Sequence, residues 1–88
     1  MKLNKDFIMR NIAGEYILVP TGDAIKKFNG LVAVSGIGGF IWECIENGCE
    51  KEEILSRIME TYEVEESVAR SDMEEFINML KKHEIIEL

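Results

Sequence analysis

Residues 29–48 read NGLVAVSGIGGFIWECIENG, and the junction inside this stretch decides the fold. Before Ser35 the apolar residues are consecutive, Leu31 to Val34, as in a short strand covered on both faces or with one face awaiting a partner. After Ser35 the period changes. Ile37, Phe40, Ile41, Cys44 and Ile45 fall at helical spacing, and Asn47-Gly48 supplies a glycine stop. Ser35 stands where a helix N-cap belongs. Gly36, Gly38 and Gly39 raise the question of a phosphate-binding loop, and the spacing answers it. A dinucleotide fingerprint G-x-G-x-x-G would need glycine where Ile41 stands, and a loop ending in G-K-[ST] would need a lysine, none of which lies between Lys27 and Lys51. Glycine at a helix start costs up to ~1 kcal/mol relative to alanine. Close approach of the first turn to a neighbour, or mobility, has to offset that cost.

Upstream, FIMRNIAGEYILVP forms two β-branched and aromatic runs that meet at Ala13-Gly14, a hairpin signal with a glycine free to take positive φ. Pro20 ends the second run, TGDAIKKFNG reads as a polar connection, and Asn29-Gly30 as a turn into a third strand, LVAVS. Downstream, Cys49 to Tyr62 places Ile54, Leu55, Ile58 and Met59 on one helical face. Glu65 to His83 reads as a long helix with Ala69, Met73, Phe76, Ile77 and Leu80 as its apolar stripe, acidic near its start and basic (Lys81, Lys82, His83) at its end, as the helix dipole favours. The tail IIEL reads as extended. The expected order is β-β-β-α-α-α, an α+β fold of one domain over residues 1–88, in which a small three-stranded antiparallel sheet precedes and packs against three helices.

Composition narrows the function. With 88 residues, 47% of them hydrophobic, the chain can build one modest core and has little room for a catalytic pocket beside it. The formal charge is −7, and the imbalance lies in residues 43–88, which carry five basic and fourteen acidic side chains. Such a half repels phosphate backbones, so nucleic acid is disfavoured, while basic partners are attracted. The two cysteines, Cys44 and Cys49, lack the Cys or His companions of a zinc site; free thiols are the plain reading, and a disulfide across the helix end remains open. No Ser/His/Asp, Cys/His or metal cluster is visible, His83 stands at a helix end, and no cofactor is expected. MKLNKDFIMRN has no apolar signal core and no stretch approaches membrane-span length, so the expected location is the cytoplasm, with no membrane partner.

At this point the residues carry a resemblance. FNGLVAVSGIGGFIWECIENG, followed by EEILSRIMETYEV and DMEEFINMLKKHEII, is similar to the PqqD-like family over about Tyr16 to Ile86. The markers are Phe28-Asn29-Gly30, Phe40-Ile41-Trp42-Glu43, Ile54, Tyr62, Val64, Asp72, Phe76-Ile77 and Leu80, in that order and spacing. Where the family pattern has Leu-Asn-x-Thr before the helix, this chain has Val34-Ser35-Gly36-Ile37. The resemblance implies a non-catalytic, winged-helix-like recognition element for ribosomally made, modified peptides. Such a domain binds the leader segment of a precursor peptide as an extra strand beside the third strand, against the last helix, and delivers it to a modifying enzyme, often a radical-SAM protein.

The residues are compatible with that role. LVAVS is short, apolar and free of both proline and charge; an exposed edge of this kind is a liability unless a partner covers it. An internal strand paired on both sides fits the same letters, and the resemblance favours the edge. On the last helix, Val68, Asp72, Glu75 and Met79 share one flank beside Phe76, mixing apolar and carboxylate groups as a wall for an apolar and basic peptide would. The opposite flank, with Arg70, Glu74 and Lys81, reads as solvated. The candidate peptide-binding residues are therefore Leu31, Val32, Ala33, Val34, Ser35, Val68, Asp72, Glu75, Phe76 and Met79. Phe40 and Trp42 are two apart on a helix, so one belongs to the core and the other reaches a neighbour. Two other functions fit the same helical trio: a winged-helix transcription regulator, which would need a basic recognition helix, and a scaffold holding two proteins together. The bare edge and flexible glycines also allow a homodimer by strand exchange.

Overall fold

The computed structural model describes residues 1–28 and 30–87, so the Asn29 half of the expected Asn29-Gly30 turn and the last residue of the expected tail, Leu88, lie outside the described residues. In chain order the elements are β1 (Lys2–Leu3), β2 (Phe7–Ile12), β3 (Glu15–Pro20), α1 (Ala24–Lys27), β4 (Val32–Val34), α2 (Gly36–Glu46), α3 (Lys51–Tyr62), α4 (Glu66–Lys82) and β5 (Ile86–Glu87). The fold is α+β: β2, β3 and β4 form a three-stranded antiparallel sheet in that order, and α2, α3 and α4 follow it.

The hairpin turn uses both of its central residues. Ala13 and Gly14 have φ of 53° and 85°, the pair of positive values that a type I′ turn requires, and Gly14 N donates to Asn11 Oδ1 at 3.1 Å. The register Phe7↔Pro20, Met9↔Leu18 and Leu18↔Val32 puts alternate side chains on the helical side, where Phe7 and Leu18 are buried. Ile8, Ile12 and Ala33 point the other way and are exposed.

Three short elements, α1, β1 and β5, depart from the sequence reading. The polar connection after Pro20 contains α1, a single helical turn whose Ala24 is buried and whose Phe28 stacks edge-on against Phe7 at 5.5 Å and His83 at 5.1 Å. One turn is too short to display a period, which is why the sequence conceals it. Likewise β5 is not a lone extended tail: it pairs with β1 through Lys2↔Glu87 and Leu3↔Ile86.

The helix ends follow local chemistry. Ser35 Oγ accepts a hydrogen bond from Gly38 N at 3.2 Å and caps α2. At its other end Gly48, at φ 85°, lets Gly48 N bond to Ile45 O and Cys49 N to Cys44 O, the two bonds of a Schellman motif. The same pattern closes α4, with Glu84 N on Lys81 O and Ile85 N on Leu80 O, although Glu84 must take φ 58° without being glycine. A capping box at Glu50 and Glu53 starts α3 at Lys51 rather than at Cys49.

The core lies between sheet and helices. Ile41, Ile54, Ile58, Met73, Ile77 and Leu80 are fully buried. Trp42 is the core aromatic at 2% exposure, whereas Phe40 reaches out to Tyr62 in an edge-on stack at 5.5 Å. On the flank of α4 expected to be merely solvated, Arg70 meets Glu52 at 3.3 Å and Glu74 meets Lys51 at 3.5 Å, which ties α4 to α3, while Arg70 also meets Glu66 one turn back on its own helix at 3.7 Å. Exposed pairs of this kind contribute at most ~1 kcal/mol each.

Close approach accounts for two of the three glycines. A Cβ at Gly38 would lie 2.5 Å from Val34 Cγ1 and 3.0 Å from Phe76 Cε1, and one at Gly39 2.6 Å from Tyr16 Cδ1. Gly36 has open space around it. Gly38→Ala and Gly39→Ala should each therefore cost ~1–3 kcal/mol by overpacking, while Gly36→Ala should be neutral or stabilising by up to ~1 kcal/mol. Urea denaturation of the three variants checks this; equal effects at all three positions would contradict the packing account.

Candidate functional site

The two edges of the sheet are built differently. β2 carries Arg10 and Asn11 along its length, which discourages pairing with another chain. β4 is Val-Ala-Val, with neither charge nor proline, and among the described residues it pairs only with β3. Its free side borders a groove of about 240 Å³ whose far wall is α4. The strand side is lined by Ala33, Val34, Ser35 and Ile37, the helix side by Asp72, Glu75, Phe76 and Met79. Val34, Ile37, Phe76 and Met79, all half-buried, make an apolar floor. At its base Gly38 admits Val34 and Phe76 to a distance no other residue would allow.

The groove can therefore offer three kinds of contact. Backbone N–H and C=O groups on the free side of β4 can bond to an extended chain. The floor can receive apolar side chains. Ser35, whose Oγ already accepts from Gly38 N, keeps its hydroxyl proton to donate. The volume is below the ~300–1,000 Å³ usual for small-molecule sites, and the groove is open rather than enclosed, which suits a few side chains of an extended ligand.

Of the ten residues singled out from sequence, the groove brings together Ala33, Val34, Ser35, Asp72, Glu75, Phe76 and Met79. Val32 packs against the core, while Leu31 and Val68, 65% and 46% exposed, stand outside the lining. Ile37 was not among the ten. Its helical spacing assigns it to the core stripe, and it does pack against the core, but only the position of α4 reveals that it also lines the groove.

Residues 15–86 match the family described as Coenzyme PQQ synthesis protein D (PqqD). A search of curated proteins finds no match. Among solved structures, the fold is similar to that of a chain described as TbiB1 in complex with the TbiA(beta) leader peptide, with a TM-score of 0.80 and 24% sequence identity, covering 99% of this chain and 95% of that one. At this identity the likeness is one of fold.

The other reactive groups lie away from the groove. A second hollow of about 310 Å³, between α1 and the end of α4, mixes Lys27, Lys82 and His83 with Asp6, Asp23 and Glu84, and so presents no net chemistry to one class of ligand. Among the described residues no group of three or more His, Cys, Asp or Glu is placed to hold a metal ion, and no helix is long and apolar enough to cross a membrane. Cys44 and Cys49 are both buried and unbridged. They occupy the third-from-last helical position and the second position past the cap, the pair whose apolar contact accompanies a Schellman motif; the spacing is thus explained by the end of α2. Burial, reinforced by the neighbouring Cys49, pushes the Cys44 thiol above its usual range. A thiol held neutral is a poor nucleophile at pH 8. The native chain should leave both thiols unmodified by a disulfide reagent over minutes at pH 8, with both reacting in denaturant; rapid labelling of the folded protein would contradict this placement.

Proposed function

The chain belongs to the PqqD family, and on that footing we propose that it is a recognition element that binds the leader segment of a ribosomally made precursor peptide as an added strand on β4, against α4. The observation that carries this reading is the bare edge of β4 opening onto an apolar groove whose opposite wall is α4. The fold relative described as bound to a leader peptide supports the same ligand class.

Strand addition divides recognition into two parts. Main-chain hydrogen bonds contribute ~0.5–1.5 kcal/mol each and are indifferent to sequence. Three residues of β4 supply few of them, so burial of apolar side chains on the floor, worth ~1.5–3 kcal/mol for a large one, must supply both affinity and selectivity. Ordering a flexible segment opposes this gain. The product is a reversible complex suited to handing the peptide on. In this reading residues 1–88 act in the cytoplasm as one non-catalytic domain, and the chemistry belongs to a modifying enzyme, with a radical-SAM protein the partner class. An unliganded edge is also open to a second copy, so a strand-paired homodimer competes with the leader.

Amide NMR titration with leader segments of candidate precursors, run beside a short DNA duplex, tests the reading. Shifts are expected at residues 31–35 and around Asp72, Phe76 and Met79, with DNA silent. Met79→Ala should weaken binding roughly fivefold, about 1 kcal/mol of lost contact. Leader binding that leaves β4 unshifted, or DNA binding that moves α4, would overturn it.

A further inference from the structure

Resting on the leader-binding reading, we infer that the segment this groove accepts carries a lysine or arginine two residues from the apolar side chain that fills the groove floor.

The charge follows from how the acids of α4 are disposed. Glu66 and Glu74 have cations within the chain, Arg70 and Lys51. Asp72 and Glu75, the two carboxylates that line the groove, have no ion-pair partner among the described residues. Within this one helix the acids away from the groove, Glu66 and Glu74, are ion-paired, one to its own helix and one to α3, and those that line the groove are not. Asp72 is half-buried beside the apolar floor, where a cation is screened less than at an open surface. An acidic ligand would face two carboxylates at once, so the wall discriminates by repulsion as well as by attraction.

The spacing follows from the two periods that meet across the groove. From Asp72 to Met79 the helix rises about 10 Å, at ~1.5 Å per residue. An extended peptide rises ~3.3 Å per residue and turns alternate side chains to the same side, so neighbours facing α4 lie ~6.7 Å apart. The wall thus has room for two such side chains, one over the Phe76 and Met79 end and one over the Asp72 and Glu75 end. Those two are residues i and i+2 of the peptide, which gives the pattern apolar-x-basic, or its reverse if the added strand runs the other way.

Selection of random ten-residue displayed peptides on the 88-residue chain tests this. Enriched peptides should share an apolar residue and a Lys or Arg separated by one position. The Asp72→Lys/Glu75→Lys double variant should shift that partner to Asp or Glu. For a peptide with the Leu-x-Arg pattern, the Asp72→Asn/Glu75→Gln double variant should bind about threefold to tenfold more weakly, the range for two partly exposed ion pairs. Circular dichroism establishes that each variant is folded. Enrichment of apolar peptides without a basic residue, or with it at another spacing, would overturn the inference while leaving strand-mediated peptide binding intact. If no peptide is enriched and none shifts the β4 amides, the inference falls together with the reading beneath it.

Discussion

The contact on which the structure depends is the one made by an absent side chain. At Gly38 and Gly39 the first turn of α2 comes within van der Waals reach of Val34, Tyr16 and Phe76, three side chains from three different elements. A methyl group at either position would overlap its neighbours, so β3, β4 and α4 are held at their present separations around the start of α2. Ser35 contributes the other half of the junction. Its hydroxyl caps the helix and allows strand to become helix without a loop between them. The groove exists because of this junction, which brings Val34 of β4 up to Phe76 of α4 and leaves the free side of the strand facing the helix.

The groove combines a generic element with a selective one. On the proposed reading the edge of β4 would pair with an extended chain of any sequence, since backbone groups carry no side-chain information, and its lack of charge leaves off the usual protection against pairing. Selectivity has to come from α4, whose Phe76 and Met79 present an adaptable apolar surface and whose Asp72 and Glu75 add a sign of charge. A short edge and a shallow floor together favour reversible recognition over tight capture, as the proposed handing-on of a peptide would require.

Much of this was legible in the residues. The Ala13-Gly14 hairpin, the cap at Ser35, the stop at Gly48 and the stripe of α4 are local signals, each set within a few positions, and each is observed. The groove wall on α4 was legible for the same reason, because Asp72, Glu75 and Met79 share a flank by helical period alone. What escaped is either too short or too distant. α1 is one turn long, and the β1–β5 pairing joins residues more than 80 positions apart. Ala13, Glu63 and Glu84 take positive φ without the glycine that would announce it. Whether LVAVS is an edge or an interior strand depends on strand order, a long-range property, and its consecutive apolar residues fit either. Ile37 is the clearest case: the spacing that assigns it to the core stripe is silent about which helix stands opposite.

The central claim is that a leader segment binds as a fourth strand on β4. The most direct test is isotope-filtered NOE spectroscopy on labelled protein with an unlabelled bound leader. The account predicts cross-strand contacts between the peptide backbone and the backbone of Val32, Ala33 and Val34, accompanied by contacts from its alternate side chains to Phe76 and Met79. A leader whose NOEs fall on the opposite face of the sheet, at Ile8 and Ile12, or in the hollow beside Phe28 and His83, would contradict it.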